Sequence, residues 1–189
     1  MARPRTIDLD RVLDAGERVV MRDGASNLTL DAVAAEAGIS KGSVLYDCKS
    51  KHALIKAIIE RKIANEDKKI ADAVAELGAQ KNAEIRGRIA VAADWLEEEA
   101  EPVALQLCSA LAQDEDLQCL IRASLDQTLA RVADTSENPG AALVALLALE
   151  GLRSLHLMGF HKWSAAEFTG LLAEIERVAI TQGDRAPPA

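Results

Sequence analysis

"GISKGSVLYDCKSK", Gly38 to Lys51, is a polar interruption between two apolar stretches rich in Ala and Ile. A connector of that length ordinarily does no more than join its neighbours. This one holds two glycines, three lysines, three serines and the chain's one tyrosine, at spacings that a plain connector does not require. Just before it, Leu30 to Ala37 reads as a helix, with Thr29 as its N-cap and Gly38 as its stop. Ser40 then caps a helix of about two turns through Tyr46, and Ser50 caps a long one. Helix, tight turn with a glycine, helix is the outline of a helix-turn-helix. Ala34 is small where the two helices must approach, and Ile39 and Val44 supply apolar anchors beneath the turn.

The flanking sequence continues in helices. Leu9, Val12, Leu13, Gly16, Val19 and Val20 form one narrow helical seam, ended by "RDG" at Arg22–Gly24. After Ser50, Leu54, Ile55, Ile58, Ile59 and Ile63, then Ile70, Val74 and Leu77, predict a helix that Gly78 ends. Further helices are expected at about 82–100, 103–113, 116–134, 140–160 and 165–181. There is no internal repeat and no strand-like alternation, so the chain reads as all-α. The expected organisation is a DNA-binding helix-turn-helix domain over 1–50 and a second helical domain over 51–182. The fourth helix, at about 51–77, links them, and "APPA" closes a disordered tail at 183–189.

Composition agrees. The 189 residues are 49% hydrophobic but only 3% aromatic, and abundant Ala and Leu favour helices. No charged, apolar, small-residue leader opens the chain, and three cysteines at irregular spacing form no disulfide framework, so the expectation is cytoplasmic. "AALVALLALEGLRSLHLMGF", Ala141 to Phe160, has the length of a membrane span, but Glu150, Arg153 and His156 are costly in hydrocarbon. The expectation is no membrane, and a helix buried on most sides by protein. The net charge of −8 argues against nucleic acid until its distribution is read. Residues 1–62 hold 11 Lys+Arg against 9 Asp+Glu, and the acid belongs to the remainder.

The short helix exposes Lys41, Gly42, Ser43 and Tyr46. Helix N-termini attract phosphate, and a glycine at 42 lets a backbone come close. Lys41 and Ser43 have the reach for base edges in a major groove, while Tyr46, Lys49 and Lys51 lie toward the flanking phosphates.

At this point the residues resemble a family. "TLDAVAAEAGISKGSVLYDCKSKHAL", Thr29 to Leu54, is similar to the DNA-binding signature of tetracycline-repressor (TetR) regulators. The resemblance covers roughly the first 60 residues closely, and the rest in its helical character and length. It implies a homodimer whose short helices enter successive major grooves of a double-stranded operator with two-fold symmetry. It also implies a small-molecule effector in the second domain that changes their spacing. By position it carries Thr29, Ser40, Lys41, Gly42, Ser43, Tyr46 and Lys51 to the DNA, and Arg3 and Arg5 to a basic arm. Two positions depart from it. Many members have Phe where Cys48 stands and Pro where Lys49 stands, and Asp47 adds a negative charge near the expected phosphates.

Trp95, Cys108, Cys119, Arg122, His156 and Phe160 are the unusual side chains of the second domain and the candidate effector contacts. Few aromatics leave little from which to build a cage for a cationic ligand. No metal or cofactor is expected, since Cys108, Cys119, His156 and His161 lack the paired spacing of a zinc site. No nucleophile–base pair or phosphate-cradling loop suggests an enzyme. The helices at about 140–160 and 165–181 are the expected dimer surface, with Ala148 and Gly151 permitting close approach. Two alternatives stay open: a helical interaction module of the same fold with weakened DNA binding, and a thiol-responsive regulator using Cys48.

Overall fold

The structure is a computed structural model, and it describes residues 9–78, 80–96 and 114–181. The expected arm with Arg3 and Arg5, the helix at about 103–113 with Cys108, and the tail at 183–189 lie outside the described residues.

Among the described residues every regular element is helical. Helix α1 (Leu9–Asp23) leads through a 3-10 turn (Ala25–Asn27) to α2 (Leu30–Ala37) and α3 (Lys41–Asp47). The long α4 (Lys51–Leu77) follows, then α5 (Ala83–Ala92) with a 3-10 turn (Ala93–Leu96), α6 (Glu115–Thr135), α7 (Pro139–Leu157) and α8 (Ala165–Ala179). The chain forms two compact units: Met1–Ala64 with Pro102–Cys119, and Asn65–Glu101 with Leu120–Ala189. Helices α4 and α6 each run from one into the other.

The first unit is built on the seam of α1. Val12, Val19 and Val20 are fully buried with Leu28, Val33, Val44, Leu54 and Ile58, so four helices share one small core. Each start is capped by the residue the sequence nominates: Thr29 Oγ1 accepts from Ala32 N–H, Ser40 Oγ from Ser43 N–H and Ser50 Oγ from Ala53 N–H. Gly38 turns the chain at φ 65°, ψ 37°, in the left-handed region open to glycine, and Ile39 N–H closes back on Ala34 O at 3.0 Å. Arg11 Nη2 donates to Ala37 O at 2.7 Å, so α1 also holds the end of α2. Charges tie α4 to α1: Arg61 reaches Asp14 at 2.7 Å and Glu17 at 2.6 Å, and Lys62 reaches Glu17 at 3.2 Å. At the start of α6, Asp114 Oδ1 accepts from Leu117 N–H at 3.1 Å while Oδ2 meets His52 Nε2 at 3.0 Å.

The second unit packs α5, α6, α7 and α8 around Ile85, Val132, Leu146, Leu149, Phe168 and neighbours. Its closest approach lies at Gly87, where a Cβ would fall 2.6 Å from Val74 Cγ2 and 3.3 Å from Val74 N. A buried network accompanies it. Glu84 Oε1 accepts from Arg88 at 2.9 Å and from Arg131 at 3.3 Å, and Arg131 also reaches Asp67 at 2.8 Å. Asn138 caps α7 with Pro139 in its first turn, and Ser164 with Glu167 forms a reciprocal capping box on α8.

One expectation needs correction, and another gains detail. The helix expected over 82–100 ends at Ala92 and tightens to the 3-10 turn Ala93–Leu96, which sets Trp95 in the core; residues beyond 96 lie outside the described part. Helix α7 is not buried on most sides within this chain. It passes the length and hydropathy test for a membrane span, yet packs through Ala142, Ala145, Leu146, Leu149 and Leu152, while Val144 (59%) and Leu147 (63%) are exposed.

Gly87→Ala should lower stability by about 1–3 kcal/mol, because β-branched Val74 has no clear direction in which to retreat. The control is Gly170→Ala in α8, where a Cβ meets nothing within 4 Å. There, helix propensity alone should raise stability by about 0.5–1 kcal/mol. Urea denaturation of both variants checks the pair of signs.

The Leu117 N–H, with a smaller part from His52, holds the Asp114 carboxyl below the usual carboxylate range. A depressed folded pKa gives stability that is complete above the unfolded value, near about 3.9, and lost as pH falls through the folded one. Asp114→Asn should therefore be less stable than the parent at pH 7, with the gap narrowing as pH falls from about 3.9 through the lowered folded value. Melting temperatures across pH 2–7 test it.

Candidate nucleic-acid interface

Helix α3 is seven residues long and rests on one buried side chain of its own, Val44, with Cys48 buried at its C-cap. Lys41, Gly42, Leu45 and Tyr46 are exposed, Tyr46 at 85%, while Ser43 and Asp47 are half-buried. Lys49 and Ser40 are exposed beside them. The start of α2 presents Thr29 near the same turn. The sequence-nominated DNA contacts within the described residues thus come from one helix-turn-helix and the first residue of α4.

Several of them already have partners. Lys41 Nζ lies 2.8 Å from Asp31 Oδ2, across the turn on α2. Lys51 Nζ donates to Ser26 O at 2.7 Å and so pins the loop between α1 and α2. Ser40 and Ser43 hydroxyls meet at 2.8 Å. Gly42 differs: a Cβ there would meet Ser40 Oγ at an ordinary 3.7 Å. Nothing among the described residues requires glycine at 42, and Gly42 itself is exposed.

The two departures from the family pattern resolve differently. Cys48 is 2% exposed, and burial pushes its thiol up, with Asp47 adding to the rise. A thiol held protonated and covered is the inert kind, which weighs against the thiol-responsive alternative. Asp47 does not present its whole carboxylate outward, because its Oδ2 is buried with no hydrogen-bond partner among the described residues.

The effector candidates divide. Trp95 and His156 come together: His156 Nε2 lies 3.0 Å from Trp95 O, and the His156 ring lies 6.1 Å from that of Phe168. Cys119 and Arg122 are on the exposed face of α6, and Phe160 is 74% exposed. Cys108 lies outside the described residues. Sequence reasoning missed Arg153, whose guanidinium stands 5.2 Å over the Trp95 ring and 3.2 Å from Glu66. The signal was Arg153 and His156 at i, i+3 on an otherwise apolar helix. Also missed was a group formed by His52, Asp114 and Asp116, whose donor atoms lie within 4.8 Å of one another. Helix capping and the His52 pair already account for Asp114, and Asp116 is exposed.

A buried seam carrying an outward-facing second helix, continued by a long helix into a second helical unit, defines a helix-turn-helix DNA-binding regulator. The chain matches "Bacterial regulatory proteins, tetR family" over residues 12–58 and "Tetracyclin repressor-like, C-terminal domain" over residues 82–179. It belongs to the TetR family of bacterial transcriptional regulators, which are not enzymes.

Solved structures share the fold. One, described as a transcriptional regulator, is SCO7518 of Streptomyces coelicolor A3(2); it is 16% identical with a TM-score of 0.71, covering 92% of this chain and 98% of that one. A TetR-family regulator from a Rhodococcus species is 18% identical with a TM-score of 0.73, covering 91% and 98%. The multidrug binding protein EbrR, complexed with malachite green, is 20% identical with a TM-score of 0.71, covering 90% and 96%. No curated protein matches the chain.

Gly42→Ala is expected to leave the melting temperature level or slightly raised, since alanine fits the free protein and favours the helix. Its duplex affinity should fall if the outward space at 42 admits a DNA backbone. Equal affinity in an electrophoretic mobility assay would remove Gly42 from the interface.

Proposed function

We propose that the protein is a homodimeric repressor that leaves a two-fold symmetric operator when a small molecule binds its second unit, working in the cytoplasm. The observation that carries the DNA half is the exposed outer face of α3. In this reading Lys41 and Ser43 read base edges, while Thr29, Ser40, Tyr46, Lys49 and Lys51 position the head on phosphates. The arm with Arg3 and Arg5 adds backbone contacts only. Lys51 contributes twice, since its bond to Ser26 O also holds the loop ahead of α2.

The dimer reading is favoured by the stripe Val144, Leu147, Gly151 and Leu155 on α7. All four are exposed, and a Cβ on Gly151 would meet nothing within 4 Å. On α8, Leu171 is exposed as well. A row of large apolar groups with a glycine in it suits a second copy, because the helices of two chains can approach closely there. The effector reading is favoured by Trp95, Arg153, His156 and Phe168, which combine apolar walls with polar nitrogen atoms. The fold relative EbrR is described as a multidrug binding protein, which fits a small organic effector in this one.

Selection of the purified protein against random duplexes at two salt concentrations tests the reading. Enrichment of one inverted repeat, with affinity falling steeply as salt rises, is expected. Salt-sensitive retention of every duplex without enrichment would overturn sequence-specific regulation. Leu147→Asp should convert a dimer to a monomer in light scattering and abolish binding to the selected repeat while leaving the fold intact. A parent protein that is already monomeric at micromolar concentration would overturn the dimer.

A further inference from the structure

Lys41 is the base-reading candidate nearest the start of α3, yet its ammonium is held within the protein, 2.8 Å from Asp31 Oδ2. The partner sits in the first turn of α2, two residues after the Thr29 cap. Both side chains are more than half exposed, at 53% and 68%, so the pair contributes little to folding. Its position matters more than its strength. Asp31 sets a negative charge in the first turn of α2, within reach of the Lys41 ammonium at the start of α3.

From this arrangement we infer that Asp31 is a specificity-determining residue, holding Lys41 toward the bases and repelling phosphates that arrive without a matching sequence. The inference rests on the DNA-reading function proposed above. An ammonium has three N–H donors. Lys41 can keep one on Asp31 and still offer the others to a guanine edge, in the orientation the pair selects. Without Asp31 the same side chain is a mobile cation beside an unopposed helix N-terminus, and any phosphate satisfies it. Non-specific binding is an electrostatic quantity set by phosphate contacts. Specific binding adds base contacts that the carboxylate does not oppose. Removing one negative charge therefore strengthens the first more than the second. Asp31 thus lowers the background rather than raising the peak.

The test uses the full chain, the duplex enriched by selection and a scrambled duplex of the same length. Asp31→Asn and Asp31→Ala are compared with the parent, and melting temperatures confirm folding. Affinity for the scrambled duplex should rise by about three- to fivefold, the span of an exposed charge pair. Its salt slope should steepen by about 0.9, as the freed lysine takes a phosphate. Affinity for the selected duplex should stay level or fall, so the specificity ratio drops by at least about threefold. In a Lys41→Ala background the same Asp31 changes should alter the ratio much less.

An equal rise on both duplexes would overturn the inference while leaving the DNA-reading function standing, because Asp31 would then be a general repulsive charge. An unchanged ratio would do the same. A parent that enriches no sequence, or binds no duplex in a salt-dependent way, would overturn both.

Discussion

The reading head depends on the burial of Val44 and Cys48 in the core of the first unit, where α3 packs on α2. A helix of seven residues does not hold itself in water, since the first turn fixes several dihedrals for one hydrogen bond. Helix α3 is ordered because its two inward side chains are covered and its first turn is capped by Ser40. The two remaining supports act on the same point. Gly38 lets α2 reverse without strain, and Arg11 holds the last carbonyl of α2 from below. Cys48, buried at the C-cap of α3, is a small apolar plug that bears on how the head is seated and not on what it presents.

Charge does a different task in each unit. In the first, Arg61 and Lys62 on α4 meet Asp14 and Glu17 on α1, which fixes how the long helix lies against the reading head. In the second, Asp67 of the same helix meets Arg131 on α6, and Glu66 meets Arg153 on α7. All four α4 groups lie close together, over residues 61–67 in the middle of the helix. Such pairs are weak where exposed, and they are directional, so they set position more than they set stability. Arg153 also lies over Trp95, which joins the α4 contact to the side chains offered for an effector. A ligand that claimed Arg153 would have to loosen it from Glu66.

Local signals made the first unit legible. Caps at Thr29, Ser40 and Ser50, the left-handed glycine at 38 and the 3.6-residue seam of α1 are encoded within a few residues of where they act. What failed to be read depends on distance in the chain. The Lys41–Asp31 pair, the Lys51 bond to Ser26 O and the His52–Asp114 contact join residues 10, 25 and 62 apart, and no periodicity announces them. In the second unit the helices were legible but their faces were not. An all-round apolar α7 suggested more than one packing partner, and within this chain one side of it is open. Hydrophobicity states that a surface must be covered, not by what. The effector candidates are scattered for the same reason. Rarity of residue type selected Phe160 and Cys119, both exposed, and passed over Arg153 and Phe168.

An acidic protein that reads DNA is less contradictory than its net charge of −8 suggests. Screening limits an exposed charge to about 8–10 Å at ordinary ionic strength, so the charges close to the reading helix matter more than the net charge of the chain. The local balance there is a small positive excess, and part of it is spent inside the protein. Arg18 and Arg22 face Glu36, Arg61 faces Asp14 and Glu17, and Lys41 faces Asp31. A head with few unopposed cations binds arbitrary duplex weakly, which is the condition for a few base contacts to decide occupancy among a great excess of competing sites. Weak general attraction is therefore compatible with sequence reading, and a modest +2 in residues 1–62 does not by itself argue for a lost function.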